Sequence, residues 1–243
     1  MQSVPYGEIT SAVQTFLRSS DGQAKEEYRR ERSWDFCFNH FQENLAPTRT
    51  MEHSCLQLGY YLASWGMLRG SSYLFRETNA RHYQPTIEVI ELYNPKMAEL
   101  NGKPLFDPHG QTLILAAYGD LRKAILPKGG AALTLVTKIM MGVWGTVPSF
   151  DTYFIRGFRS LAGGAEKSAF NRIGSRSLTL LEDFYGQNKM EIDNLARLHK
   201  TLDFTTGRFT DRPLPTAKII DMYGFNLGYS AKSQPHRRLP TSH

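Results

Sequence analysis

Apolar residues spaced three and four apart are what most constrain this chain. In CLQLGYYLASWGMLRGSSYLF, residues 55–75, the positions Leu58, Tyr61, Leu62, Trp65 and Leu68 fall on one face at helical period. Val136, Ile139, Met140, Val143 and Trp144 make a second stripe of the same kind. Alternating strand-like runs are sparse, and no repeat of solenoid length is present. The expected fold class is all-α.

Helix punctuation orders the remainder. The segment 24–41 is charged at first (KEEYRRER) and then aromatic (WDFCFNHF), which predicts one helix whose second half docks into a core. Pro85 opens a helix over 86–93 that Asn94-Pro95 should stop. Further helices are expected over 111–125, 133–144, 152–161, 177–184, 189–202 and 216–224, the last started by Pro213-Leu214-Pro215. The Gly/Pro-rich piece NGKPLFDPHG, 101–110, is the expected boundary between two lobes, 1–100 and 101–243. The basic tail AKSQPHRRLPTSH is expected to fray.

Composition narrows the function classes. A chain of 243 residues with 41% hydrophobic content can bury a substantial core. Its net charge of +6 suits a polyanionic partner, nucleic acid or an acidic membrane face, though many basic proteins bind neither. Two cysteines, Cys37 and Cys55, exclude a four-cysteine zinc site, a cysteine-ligated iron–sulfur cluster and a disulfide framework. The seven histidines lack HExxH or HxxxH spacing, so no transition-metal site is expected. The first residues lack a basic region followed by an apolar run, and charges or glycines interrupt every apolar stretch. The expectation is a soluble, cytoplasmic protein with no membrane partner.

One stretch carries more chemistry than the others: ILPKGGAALTLVTKIMMGVWGTVPSFD, 125–151. Pro127, Lys128, Gly129, Gly130 and Ala131 form a tight turn between two helices, where adjacent glycines permit positive φ and leave amides uncovered. Amides at the start of the next helix favour an anion such as a DNA phosphate, with Lys128 as an added charge. Such a grip positions a protein on a duplex without reading sequence. Gly145 and Pro148 end the second helix, and Asp151 starts the next one. That aspartate is either a plain helix N-cap or, in a cleft, a carboxylate able to act as a base or to stabilise a developing cation.

This order resembles the helix-hairpin-helix superfamily of base-excision DNA glycosylases, over roughly 111–158. LPKGG stands in for the family's Leu-Pro-Gly-x-Gly hairpin, and VPSFDTYFIRGF resembles its Val-Asp-Thr-His-Val-x-Arg-Val segment. The resemblance implies a bilobal fold, a catalytic role for Asp151, a duplex-DNA partner and a monomer. Thr152 matches the following Thr, and Arg156 lies near the family's Arg. It also implies a monovalent cation on hairpin carbonyls, with no other cofactor. Lys128 replaces the first hairpin glycine. Ala132 occupies the place of the lysine that bifunctional members use, and Lys138 lies about two turns further on. The reading is a monofunctional glycosylase in which water attacks C1′.

Cleaving an N-glycosidic bond develops positive charge on the sugar, which a carboxylate stabilises, and the base must leave the stack. Candidate base-pocket residues are Trp34, Tyr60, Tyr61, Trp65, Phe150 and Tyr153, although ordinary helix core is the commoner place for each tryptophan and tyrosine. Arg69 is a pocket donor, or else an ion-paired or snorkelling side chain. Arg156 and Arg159 head a basic run through Lys167, Arg172 and Arg176, a DNA-backbone face or a solvated surface. The N-terminal half, which has no match in the family pattern, suggests an unusual modified base, and antiviral defence is one setting for that. Two alternatives stand beside this reading: a non-catalytic helix-hairpin-helix DNA-binding module, and a helical scaffold serving a protein partner.

Overall fold

The structure is a computed structural model that describes residues 1–18, 25–100 and 107–233. It is predominantly helical, with ten α-helices and one two-stranded antiparallel sheet among the described residues. The sheet, which the sequence did not signal, pairs β1 (Lys200–Leu202) with β2 (Phe209–Pro213).

Helix α1 (Glu8–Arg18) buries Ile9, Val13 and Phe16. Its opening amides are satisfied from far along the chain. The Glu191 carboxylate accepts the N–H groups of Gly7 and Thr10 and the Thr10 hydroxyl, the last at 2.7 Å. Residues 24–41 do not form one helix. Two 3-10 turns, Glu26–Tyr28 and Arg30–Arg32, precede α2 (Ser33–Glu43), and Ala24 lies outside the described residues. The charged half instead spends its arginines on local ion pairs: Arg29 and Arg32 both reach Glu26, and Arg32 also pairs with Asp35 at 3.2 Å.

The helix expected over 55–75 is likewise divided. Helix α3 (Met51–Ser64) ends at Trp65, Gly66 and Gly70 take φ of +76° and +56°, and α4 (Tyr73–Glu77) follows. The proline stop at Asn94-Pro95 fails, because α5 (Gln84–Ala98) runs through Pro95. There Asn94 is held by the core: its amide donates to Leu45 O and its carbonyl accepts from Trp144 Nε1. The connector 101–110 and the basic tail lie largely outside the described residues.

Helix α6 (Pro108–Ile125) is capped by Asp107, whose carboxylate accepts from Gly110 N. Then come α7 (Leu133–Val143), α8 (Thr152–Ala162), α9 (Ser175–Leu198) and α10 (Thr216–Ser233). The two helices expected over 177–202 are one helix with a non-helical step at Asn188, and its expected end is β1. Helix α7 is buried along nearly its whole length, and α2 and α3 lie on it. Trp34 Nε1 donates to Met141 O, Gln42 to Val143 O and Tyr61 to Lys138 O. Residues on both sides of the expected boundary thus share one apolar core.

Helices α8 and α10 approach closely because glycines line their contact. A Cβ at Gly157 would strike Gly224 O, and one at Gly228 would strike Tyr153 O. Phe154, Phe158, Phe170 and Phe184 fill the space beside this seam, each fully buried. Burial of each such ring stabilises the fold by about 1.5–3 kcal/mol. No helix among the described residues is long and apolar enough to cross a membrane.

Candidate functional site

The turn between α6 and α7 has the backbone that its glycines suggested. Gly129 and Gly130 take φ of +81° and +132°, and no protein atom approaches where a Gly129 side chain would be. Ala132 precedes α7 without any side-chain cap, so the first amides of that helix are left to other acceptors. Lys128 is exposed and lies 3.6 Å from Glu77 of α4. The carbonyls of Ile125 and Leu126 are engaged by His82 Nε2 and Gly129 N. Each of these two carbonyl oxygens thus already accepts one hydrogen bond.

Asp151 is tied to this turn by two threonines on the first turns of α7. Thr134 Oγ1 donates to Phe150 O at 2.8 Å, and Thr137 Oγ1 accepts from Phe150 N at 2.9 Å. These bonds fix the segment ending in Asp151 relative to the hairpin. Asp151 itself caps α8, its Oδ1 accepting the N–H groups of Tyr153 and Phe154 at 3.0 and 2.9 Å. Its Oδ2 faces Lys138 Nζ at 3.5 Å, and the carboxylate side chain keeps 16% of its surface in solvent.

Lys138, which spacing alone set apart from the site, is therefore part of it. Its side chain is only 5% exposed and its Nζ lies 5.0 Å from the Trp65 ring centre. A second buried pair stands on the same ring. Lys218 Nζ lies 5.2 Å from Trp65 and 5.1 Å from Trp34, and it pairs with Asp221 at 3.1 Å. Asp221 in turn accepts from Ser149 N at 2.8 Å, two residues before Asp151. Arg30 covers Trp65 from a third direction at 5.5 Å. The ring is thus surrounded by three cations, and its Nε1 is buried without a hydrogen-bond partner. Two buried ion pairs thus meet beside one indole. The readable signal for the second pair was Lys218 and Asp221 three apart within the apolar run AKIIDMY.

Deeper in, Asp35 is almost wholly buried, and desolvation pushes its carboxyl up to about 6 despite the Arg32 guanidinium and the Leu202 amide. Burial also pushes both cysteine thiols up.

The expected base-pocket residues separate into groups. Trp65 belongs to the cluster just described. Phe150 is fully buried against Phe154 and Phe170, and Tyr61 lies buried over Gly142; both are core side chains. Trp34 is 2% exposed and stacks on Phe38. Trp34 and Trp65 border a narrow cavity of about 20 Å³, room for one water and not for a base. Tyr153 packs against Phe225 and Tyr229. Arg69 is exposed beyond the end of α3 and folds back on Gly66, so it forms no buried ion pair. Arg156 and Arg159 are exposed on α8; the first donates to Gly228 O and the second to Asn171.

Comparisons of the chain with protein-family models, with curated proteins and with solved structures find no match.

Proposed function

We propose that this chain is a monofunctional DNA glycosylase, with Asp151 as the carboxylate that stabilises the developing sugar cation and orients the attacking water. The single observation that carries this reading is the placement of Asp151. It has one oxygen fixed by two backbone amides, the other beside Lys138, some surface open to solvent, and a threonine-latched link to the glycine turn. The turn, with uncapped amides and Lys128, would hold a phosphate of duplex DNA and set the distance from strand to carboxylate. Arg156 and Arg159 would extend the backbone contact along α8. Trp65, beside three cations, is the face against which a base turned out of the stack would lie, after local opening of the narrow cavity that it borders. Ala132 at the usual lysine position and the pairing of Lys138 with Asp151 both favour hydrolysis by water over an amine nucleophile. A cytoplasmic role against DNA carrying modified bases fits this chemistry.

The test is base release from duplexes carrying a series of modified bases, scored as abasic sites, for the native chain and for Asp151→Asn. Retained DNA affinity with loss of release supports an enzyme. A binding module would show no release in either protein.

A further inference from the structure

Away from Asp151, a groove of about 670 Å³ opens between the two 3-10 turns of 26–32, one face of α3 and the turn that joins β1 to β2. Its apolar surface is almost entirely aromatic: Tyr28, Phe36, Tyr60 and Phe204, with Leu56 the one aliphatic side chain among the lining residues. Tyr28, Tyr60 and Phe204 are 76%, 69% and 72% exposed, a large unfavourable display of rings for a surface with nothing to bind.

The groove is built, not loose. Phe204 sits in the β1–β2 turn, and Phe36 meets it edge-on at 5.2 Å. The turn itself is fixed by Asp203, whose carboxylate accepts the Thr206 N–H and hydroxyl, both at 2.7 Å. In the wall stands Ser33, 5% exposed, whose Oγ is buried without a hydrogen-bond partner. Arg30 lines the groove with a guanidinium that is largely in solvent and lies over Trp65.

We propose that this groove binds an unpaired nucleobase of a single-stranded nucleic acid, stacked on Tyr60 and Phe204, with Arg30 beside its phosphate. Rings rather than aliphatic side chains suit a planar π-face, and base–aromatic stacking is tolerant of sequence. A groove for an amphipathic helix would instead have a floor of Leu, Ile and Met. The volume falls within the range of small-ligand sites, and Arg30, whose side chain is 62% exposed beside Glu31, is the groove's solvent-facing cation, with Glu27 and Asp203 also in the lining. The proposal stands whether or not Asp151 is catalytic.

The test titrates the full chain with a labelled twelve-nucleotide single strand, with the same strand carrying abasic sites, and with the corresponding duplex. Because Tyr60 and Phe204 are exposed, Tyr60→Ala and Phe204→Ala should fold normally, which circular dichroism checks. Each is expected to weaken the base-bearing single strand by about tenfold while leaving duplex affinity unchanged. Arg30→Gln is expected to weaken all single strands and flatten the salt dependence. Equal affinity for the abasic and base-bearing strands would overturn the proposal, as would ring variants that bind like the native chain. If ring truncation alters sedimentation but not strand affinity, the groove is a protein contact and the proposal fails. Asp151→Asn separates the two claims, since it should abolish base release and leave single-strand affinity untouched.

Discussion

The ammonium of Lys138 lies 3.5 Å from the Asp151 carboxylate, and the side chains are 5% and 16% exposed. The lysine comes from the middle of α7 and the aspartate from the cap of α8. Each therefore leaves a different orphan when removed.

Replacing Asp151 alone with Asn keeps a cap for Tyr153 and Phe154 but strands a buried ammonium, at a cost of about 3–5 kcal/mol. Replacing Lys138 alone with Met leaves a carboxylate that still has two amides and some solvent, so the loss is expected to be smaller. The double variant should be more stable than Asp151→Asn by itself. Urea unfolding of the four proteins closes this cycle, and simple additivity would mean that the pair does not interact.

The glycine seam between α8 and α10 gives a test of packing. At Gly228 an added methyl meets the Tyr153 carbonyl, which is backbone and cannot swing aside. Gly228→Ala is expected to lower stability by about 1–3 kcal/mol. Gly186 of α9 has nothing within 4 Å of where its Cβ would lie. There the same substitution is expected to raise stability by about 0.5–1 kcal/mol through helix propensity. Thermal melts of the two variants should move in opposite directions.

Two groups, the buried Asp35 and the half-buried His40, oppose one another in acid. Asp35 has its carboxyl raised from 3.8 to about 6, first by desolvation, so the folded state binds the proton more tightly than the unfolded one. Its contribution to stability therefore grows as pH falls from about 6 to about 4. His40 is lowered from 6.5 to about 4, first by desolvation and then by the neighbouring His53. Its neutral form is the one the fold prefers, so its contribution is lost as pH falls through the same window. Asp35→Asn should make the acid loss of stability steeper and His40→Asn should make it shallower. Unfolding free energies measured between pH 4 and 7 distinguish these slopes.

Salt reports on the phosphate contacts. Duplex affinity is expected to fall linearly on a log–log plot against salt, and Lys128→Ala should reduce the slope by about one unit without changing sequence preference. A slope unaltered in Lys128→Ala would remove the turn from the interface.

Helical period made much of the architecture legible, and Asp151 marked where a helix begins, whereas the cap at Asp107 went unread inside the expected connector. Local signals misled where tertiary contacts outweighed them. Pro95 did not stop α5, because Asn94 is held by Leu45 and Trp144. KEEYRRER did not form an α-helix, because its arginines find partners in Glu26 and Asp35. At the site, Asp151 and the turn stand close along the chain and could be read together. Lys218 and Arg30 could not be joined to Trp65 by any spacing, since they reach it from two separate segments distant in sequence. The aromatic groove likewise combines residues 28, 36, 60 and 204, which only the folded chain brings side by side.

The most direct measurement scores abasic-site formation on modified-base duplexes by the native chain, Lys138→Met, and the Lys138→Met/Asp151→Asn double variant, which removes the charge at 151 without stranding the lysine. Release by the first two, with none from the folded, DNA-bound double variant, is the expected result. Undiminished release from the double variant would contradict a catalytic carboxylate at position 151.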